Sequence, residues 1–138
     1  MKARSFYANT GVDIREATRF VQMIQERTDA AWPNFKGAIG GFAGRVDVPL
    51  NANQLAVSMD GIGSKILIAS LLQQFGDIGE DAVSMNVGDV YCDESIPIGV
   101  IDDLTVAKLR PELHIEIIES IIRACKKLNC RLLGGETE

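Results

Sequence analysis

The six residues Asp60-Gly61-Ile62-Gly63-Ser64-Lys65 put a carboxylate, two glycines, a hydroxyl and an ammonium directly behind the apolar run Gln54–Met59. Each has a use in holding a charged ligand. An Asp ligates Mg²⁺, glycines let the backbone approach a phosphate, N–H groups at a helix start favour an anion, and a Lys supplies positive charge. The order is not that of a P-loop, which needs a longer glycine frame and Lys before Ser or Thr, whereas Ser64 precedes Lys65. Taken alone, the stretch is equally well a tight turn with solvated charges.

A second constellation is acidic. Asp89, Asp93, Glu94, Asp102, Asp103 and Glu136 all fall at or near the ends of expected elements, where the ligands of open α/β sheets gather. Asp93, Glu94 and Asp103 read individually as solvated surface charge. Asp102, next to an apolar strand, and Glu136, in a Gly-Gly turn, are harder to explain as decoration. The glycine-dense Gly40–Gly44 segment can drape over a ligand or serve as a plain connection, and its residues alone favour the connection. His114 is the single histidine and reads as a surface or half-buried residue, so covalent triad chemistry has no support. Cys92, Cys125 and Cys130 show no paired zinc-site spacing. Cys125 lies on an apolar helix stripe and Cys130 opens the next strand, so both read as packing residues.

The elements that must position these groups follow from periodicity. Asp13 with Glu16 makes a variant capping box, and Ala17, Val21, Ile24 and Thr28 continue at helical spacing, which predicts a helix over 14–31. Residues 36–49 carry too many glycines for a regular element and read as a long loop with room for a short strand near Val46. Gln54–Met59 fits a buried strand, and Ile62, Ile66, Ala69 and Leu71 or Leu72 mark a helix ending near Gly76. Val83, Val87 and Val90 predict a third helix despite Gly88 in its middle, a residue that costs roughly 1 kcal/mol against alanine there. Ile96–Val106 has the β-branched density of a strand. Pro111 opens a helix striped by Ile115, Ile118, Ile122 and Cys125, and a last strand from Cys130 breaks into the Gly134–Gly135 pair. The alternation predicts an α/β (α+β) layer fold in one domain, 1–138.

With 138 residues, 46% apolar and 24% charged, the chain can bury a core of one ordinary domain. No apolar run approaches the roughly 20 residues needed to span a bilayer, and the N-terminus has no signal-peptide pattern, so the expectation is a cytoplasmic protein. A net charge of −5 argues against nucleic acid or an anionic membrane as partner. It leaves a phosphorylated metabolite open, because backbone N–H groups and carboxylate-bound metal can hold one without surplus Lys or Arg.

Six segments in order resemble one known family. Thr10–Ile14 (TGVDI), Gly40–Gly44 (GGFAG), Asp60–Lys65 (DGIGSK), Met85–Val90 (MNVGDV), Ile96–Asp102 (IPIGVID) and Gly134–Thr137 (GGET) resemble the N-terminal half of phosphoribosylformylglycinamidine cyclo-ligase, or AIR synthetase, of purine biosynthesis. The resemblance implies a mixed sheet of about four strands with helices on one face, and sheets that pair into a barrel in a homodimer. It implies an ATP-dependent ligase that activates the formyl oxygen of formylglycinamidine ribonucleotide as a phosphate ester before a nitrogen closes the imidazole ring. ATP and Mg²⁺ are the implied cofactors.

Carried over position by position, the resemblance makes Lys65 and Asp60 catalytic. It assigns ATP binding to Gly41, Phe42, Gly44, Asp60, Gly61, Gly63, Ser64, Lys65, Asp89 and Glu136, and metal binding to Asp60, Asp89 and Glu136. Gly88 stands where the family has Asn, and Asp93 and Glu94 replace a Gln-Gly pair. The family's C-terminal domain does not follow within these residues, so the fragment alone is expected to be inactive. Two other readings stay open. One is another member of the superfamily, of the thiamine monophosphate kinase or selenophosphate synthetase type, and the other is a non-catalytic assembly domain.

Overall fold

The computed structural model describes residues 13–36, 39–40, 46–52 and 54–138. In chain order they form α1 (Ile14–Ala31), a 3₁₀ turn (Pro33–Phe35), α2 (Lys65–Leu72), α3 (Ile78–Cys92), β1 (Gly99–Leu104), α4 (Pro111–Lys127) and β2 (Arg131–Thr137).

The expected first helix forms over its expected span, with the Asp13 carboxylate accepting the Arg15 N–H at 2.9 Å as its N-cap. Its buried face differs by one position from the expected stripe: Phe20, Ile24 and Thr28 point inward, while Val21 is exposed. α4 is the centre of the molecule. Pro111 opens it at a position where a missing N–H costs nothing, and Ile115, Ile118, Ile122 and Cys125 are buried as their spacing requires, joined by Ile117 and Ile121. Burial on both flanks reflects its neighbours, since α1, α3 and β2 all pack against it.

The α3–α4 contact depends on one absent side chain. A Cβ on Gly79 would lie 2.3 Å from the Ile117 carbonyl oxygen and 2.6 Å from the Ile121 nitrogen, so only glycine lets the two backbones approach this closely. At the same crossing the buried Ser120 hydroxyl accepts the Glu80 N–H at 2.7 Å, satisfying one of the amides that the first turn of α3 leaves unpaired.

β1 and β2 run parallel, connected through α4, which is the βαβ arrangement expected of an α/β chain. The sheet differs from the expectation in three ways. It has two strands among the described residues, not about four. The Gln54–Met59 run is not a strand. It has no ladder partner there, and Leu55, Val57 and Met59 are 62%, 85% and 95% exposed. An apolar run signals burial only if something covers it, and no described element does. The 46–49 stretch likewise forms no strand.

The third difference is that β2 does not break at its glycine pair. It runs on to Thr137 with one irregularity, because Val100 pairs with Leu132 and Ile101 with Gly134, leaving Leu133 as the extra residue. Gly135 is needed there because the Asp102 side chain lies over it, with Oδ1 2.1 Å from where a Cβ would sit. Two boundaries also move. β1 is shorter than the expected Ile96–Val106 strand, and α2 ends at Leu72, where Gln73 turns left-handed, not near Gly76.

Candidate functional site

The Asp60 turn sits against α3. Gly63 takes the left-handed conformation, φ 66°, that lets the chain reverse into α2. Ser64 occupies the N-cap of α2 without a side-chain capping bond, and Lys65 is its first residue. The Asp60 carboxylate folds back to accept the Gly61 N–H at 2.7 Å.

Facing the turn, α3 presents two side chains one helical turn apart. Asn86 exchanges two hydrogen bonds with the Asp60 backbone: its Oδ1 accepts the Asp60 N–H at 2.7 Å, and its Nδ2 donates to the Asp60 carbonyl at 2.9 Å. Asp89 accepts the Ser58 hydroxyl at 2.9 Å. Ser58 and the Asp60 backbone are thereby tied to the α3 face that carries Asp89, which lines a cleft of about 250 Å³ together with Ala56, Val57, Ser58, Val90 and Asp93. Asp93, read from sequence as solvated charge, is part of that lining.

Lys65 is placed by the same helix. Its ammonium pairs with the Asp81 carboxylate on α3 at 3.0 Å, both side chains being partly exposed, so its charge lies between the Asp60 turn and the first turn of α3. Such an exposed pair contributes little to stability, at most about 1 kcal/mol. Lys65 can therefore exchange partners if an anion of higher charge arrives.

The other expected site residues are not gathered here. Glu136 lies near the end of β2, in register with Asp103. Among the described residues no group of three or more His, Cys, Asp or Glu side chains is arranged to hold a metal ion, so Asp60, Asp89 and Glu136 do not form a ready-made ligand set. One or two carboxylates still suffice for Mg²⁺ in the way nucleotides carry it, the other ligands being phosphate oxygens and water, and Asp60 and Asp89 supply carboxylates on the two segments that Ser58 and Asn86 tie together. Gly41, Phe42 and Gly44, together with the TGV part of the first motif, lie outside the described residues. Gly88 is on the exposed side of α3, with nothing within 4 Å of a Cβ built there.

Asp102 faces inward from β1, and burial, with the Asp103 charge added, pushes its carboxyl up to about 7. His114 is buried, not on the surface. Its Nδ1 accepts the Arg110 N–H at 3.3 Å, its ring stands edge-on to Phe75, and burial holds its pKa below the usual value. The Cys125 thiol is likewise pushed up by its contact with Cys130 and by burial, which agrees with a packing role.

A larger cleft, about 440 Å³, opens between the C-terminal ends of α1 and α4 and includes Trp32, Phe35, Lys126 and Arg131. It contains none of the expected site residues. Its two cations lie over aromatic rings, Lys126 5.7 Å from the centre of Trp32 and Arg131 3.5 Å from that of Phe35, which makes them part of local packing.

The profile described as "AIR synthase related protein, N-terminal domain" matches residues 40–138. The chain belongs to the AIR synthase related family. Its relatives in that family include a phosphoribosylformylglycinamidine cyclo-ligase of Synechocystis sp., 36% identical over 134 residues that make up 95% of this chain and 39% of the relative. Another, from Leptospira interrogans, is 36% identical over 142 residues, 99% of this chain and 41% of the relative. A third, from Alkaliphilus metalliredigens, is 33% identical over 139 residues. The chain spans about two fifths of the length of the curated relatives it matches. Among the described residues no helix is long and apolar enough to cross a membrane.

Proposed function

We propose that this chain forms the nucleotide-handling N-terminal domain of an ATP-dependent cyclo-ligase that converts formylglycinamidine ribonucleotide to aminoimidazole ribonucleotide. The observation that carries the reading is the attachment of the Asp60 turn to α3. The segment that carries Asp60 is bonded, through Ser58 and Asn86, to the face of α3 that carries Asp89, beside a glycine turn and a helix start, in a chain about one-third identical to enzymes of that name. In this reading Asp60 and Asp89 would hold Mg²⁺, which when bound neutralises phosphate charge. Gly61, Gly63 and Ser64 let the α2 N-terminus approach the phosphates, and Lys65 leaves Asp81 to face the transferred group. Such phosphoryl transfer asks the protein for positioning and charge, not for a nucleophile.

Formylglycinamidine ribonucleotide would occupy a cleft that the remaining three fifths of the relatives' length helps to build, so the 138-residue chain by itself is expected to bind without ring closure. The alternating exposed Leu55, Val57 and Met59 support a homodimer, since an uncovered apolar segment invites burial against a second copy. Cytoplasmic location goes with this metabolic assignment.

Calorimetry of Mg-ATP binding tests the reading. The wild-type chain is expected to bind, and Asp60→Ala is expected to remove binding. Unchanged affinity in Asp60→Ala, or no binding by the wild type, overturns it.

A further inference from the structure

Gln54–Asp60 forms no regular element and has no ladder partner among the described residues. Its backbone polar groups still need partners, and at Asp60 both come from one side chain. Asn86 accepts the Asp60 N–H at 2.7 Å and donates to the Asp60 carbonyl at 2.9 Å, the same reciprocal pair that an antiparallel strand residue would make. The amide is held in that orientation by a further donation from Nδ2 to the Ala82 carbonyl at 3.0 Å, one turn back in α3. Ser58, two residues before Asp60, makes the second attachment through Asp89.

We infer that Asn86 is the positioning residue of this site: its amide takes both backbone groups of Asp60 and sets where the Asp60 peptide, and so its carboxylate, lies relative to α3 and Asp89. The inference rests on the reading of Asp60 as a ligand-facing group, but Asn86 touches the Asp60 backbone and not the ligand. Its side chain is half-buried in α3, while the segment it holds is exposed. A second side-chain bond between residues 58–60 and α3 is the one from the Ser58 hydroxyl to Asp89. Asn is a poor helix former compared with Ala, so its presence in the middle of α3 is accounted for by this bond pair and not by helix propensity.

The test has two arms on the chain as it stands. In amide hydrogen exchange, Asn86→Ala is expected to speed exchange of the Asp60 N–H at least tenfold while the buried α4 amides, such as that of Ile118, keep wild-type rates. Asn86→Asp keeps the acceptor oxygen for the Asp60 N–H and loses only the donor, so it is expected to retain most of that protection. In Mg-ATP calorimetry, Asn86→Ala is expected to weaken binding at least tenfold.

Asp60 exchange within twofold of wild type in Asn86→Ala overturns the clamp. Faster exchange with unchanged Mg-ATP affinity overturns the positioning role. If Asn86→Ala also loses core protection, Asn86→Asp decides: loss of Asp60 protection in a folded Asn86→Asp chain refutes the acceptor half of the pair. A wild-type chain that binds no Mg-ATP refutes the ATP reading, and the exchange arm then still decides the clamp.

Discussion

The seam where α1, α3 and β2 meet α4 and the surface where the Asp60 turn meets α3 are held by different forces. The seam is apolar and close-packed: Phe20, Val83, Ile118 and Cys125 are essentially without solvent contact, and at Gly79 the α3 and α4 backbones nearly touch. The turn is held by side-chain hydrogen bonds from Asn86 and Asp89, one exposed ion pair and few buried apolar groups. The seam is expected to stay folded after losing one polar contact, and loss of the turn's geometry is expected to change global stability little. A site that must accept a charged ligand is served by the second arrangement, since ligand-handling segments come from the low-stability end of a structure.

The comparison breaks if the seam proves soft. Ile118 is fully buried on the α4 face. Ile118→Ala is expected to cost about 2–5 kcal/mol, the lost transfer energy plus the cavity left behind. A urea titration giving less than about 1 kcal/mol would mean that α4 is not the centre of the core. The same substitution should leave the Asp60 N–H protection pattern unchanged relative to its neighbours in the turn.

These two regions were unequally legible in the sequence. α1, α3 and α4 could be read because a buried helix face repeats every three or four residues, and Ile115, Ile118, Ile122 and Cys125 show that repeat without help from elsewhere. The βαβ order could be read for the same reason. Whether Gln54–Met59 finds a partner is not written in the segment itself, whose apolar run has the pattern of a buried strand. The Gly134–Gly135 pair reads locally as a break, because the residue that needs a glycine at 135, Asp102, lies 33 positions earlier. The role of Asn86 is hidden in the sequence for a related reason, its partner being 26 residues away. One signal was available: an Asn inside a helix, three residues before an Asp already suspected, lies on the same face as that Asp.

Asp102 sharpens the comparison from inside the sheet. Its carboxyl is raised from 3.8 to about 7, mainly by burial. A raised acid pKa in the folded state means the folded chain holds the proton more tightly than the unfolded chain. Its contribution to stability is therefore fully present below pH 3.8, falls as pH rises towards 7, and is flat above that. Three units at about 1.4 kcal/mol each set a ceiling of about 4 kcal/mol, and residual solvent contact brings the expected penalty to on the order of 2 kcal/mol. Asp102→Asn, which carries no charge, is expected to be more stable than wild type at pH 8 by about that amount and nearly equal to it at pH 4. Parallel slopes of urea midpoint against pH for the two proteins would show that the group ionises freely and that this end of the sheet is open to water.

The smallest expected effect lies on the outer face of α2. Leu71 is 84% exposed, and Leu67, Ile68 and Leu72 beside it are also exposed. In a single chain, Leu71→Ser removes no buried contact, so the urea midpoint is expected to stay within about 0.5 kcal/mol of wild type. A larger loss is informative because of its concentration dependence. If a second copy covers this face, wild-type stability rises with protein concentration by mass action, about 1.4 kcal/mol for each tenfold increase in a dimer, and the cost of Leu71→Ser appears only where the dimer is populated. A loss above about 1.5 kcal/mol that does not change between 1 and 100 μM would instead place Leu71 in the core of the single chain. In that case the α2 side of the molecule would be packed as tightly as the α4 seam, and the contrast between the two regions would no longer hold.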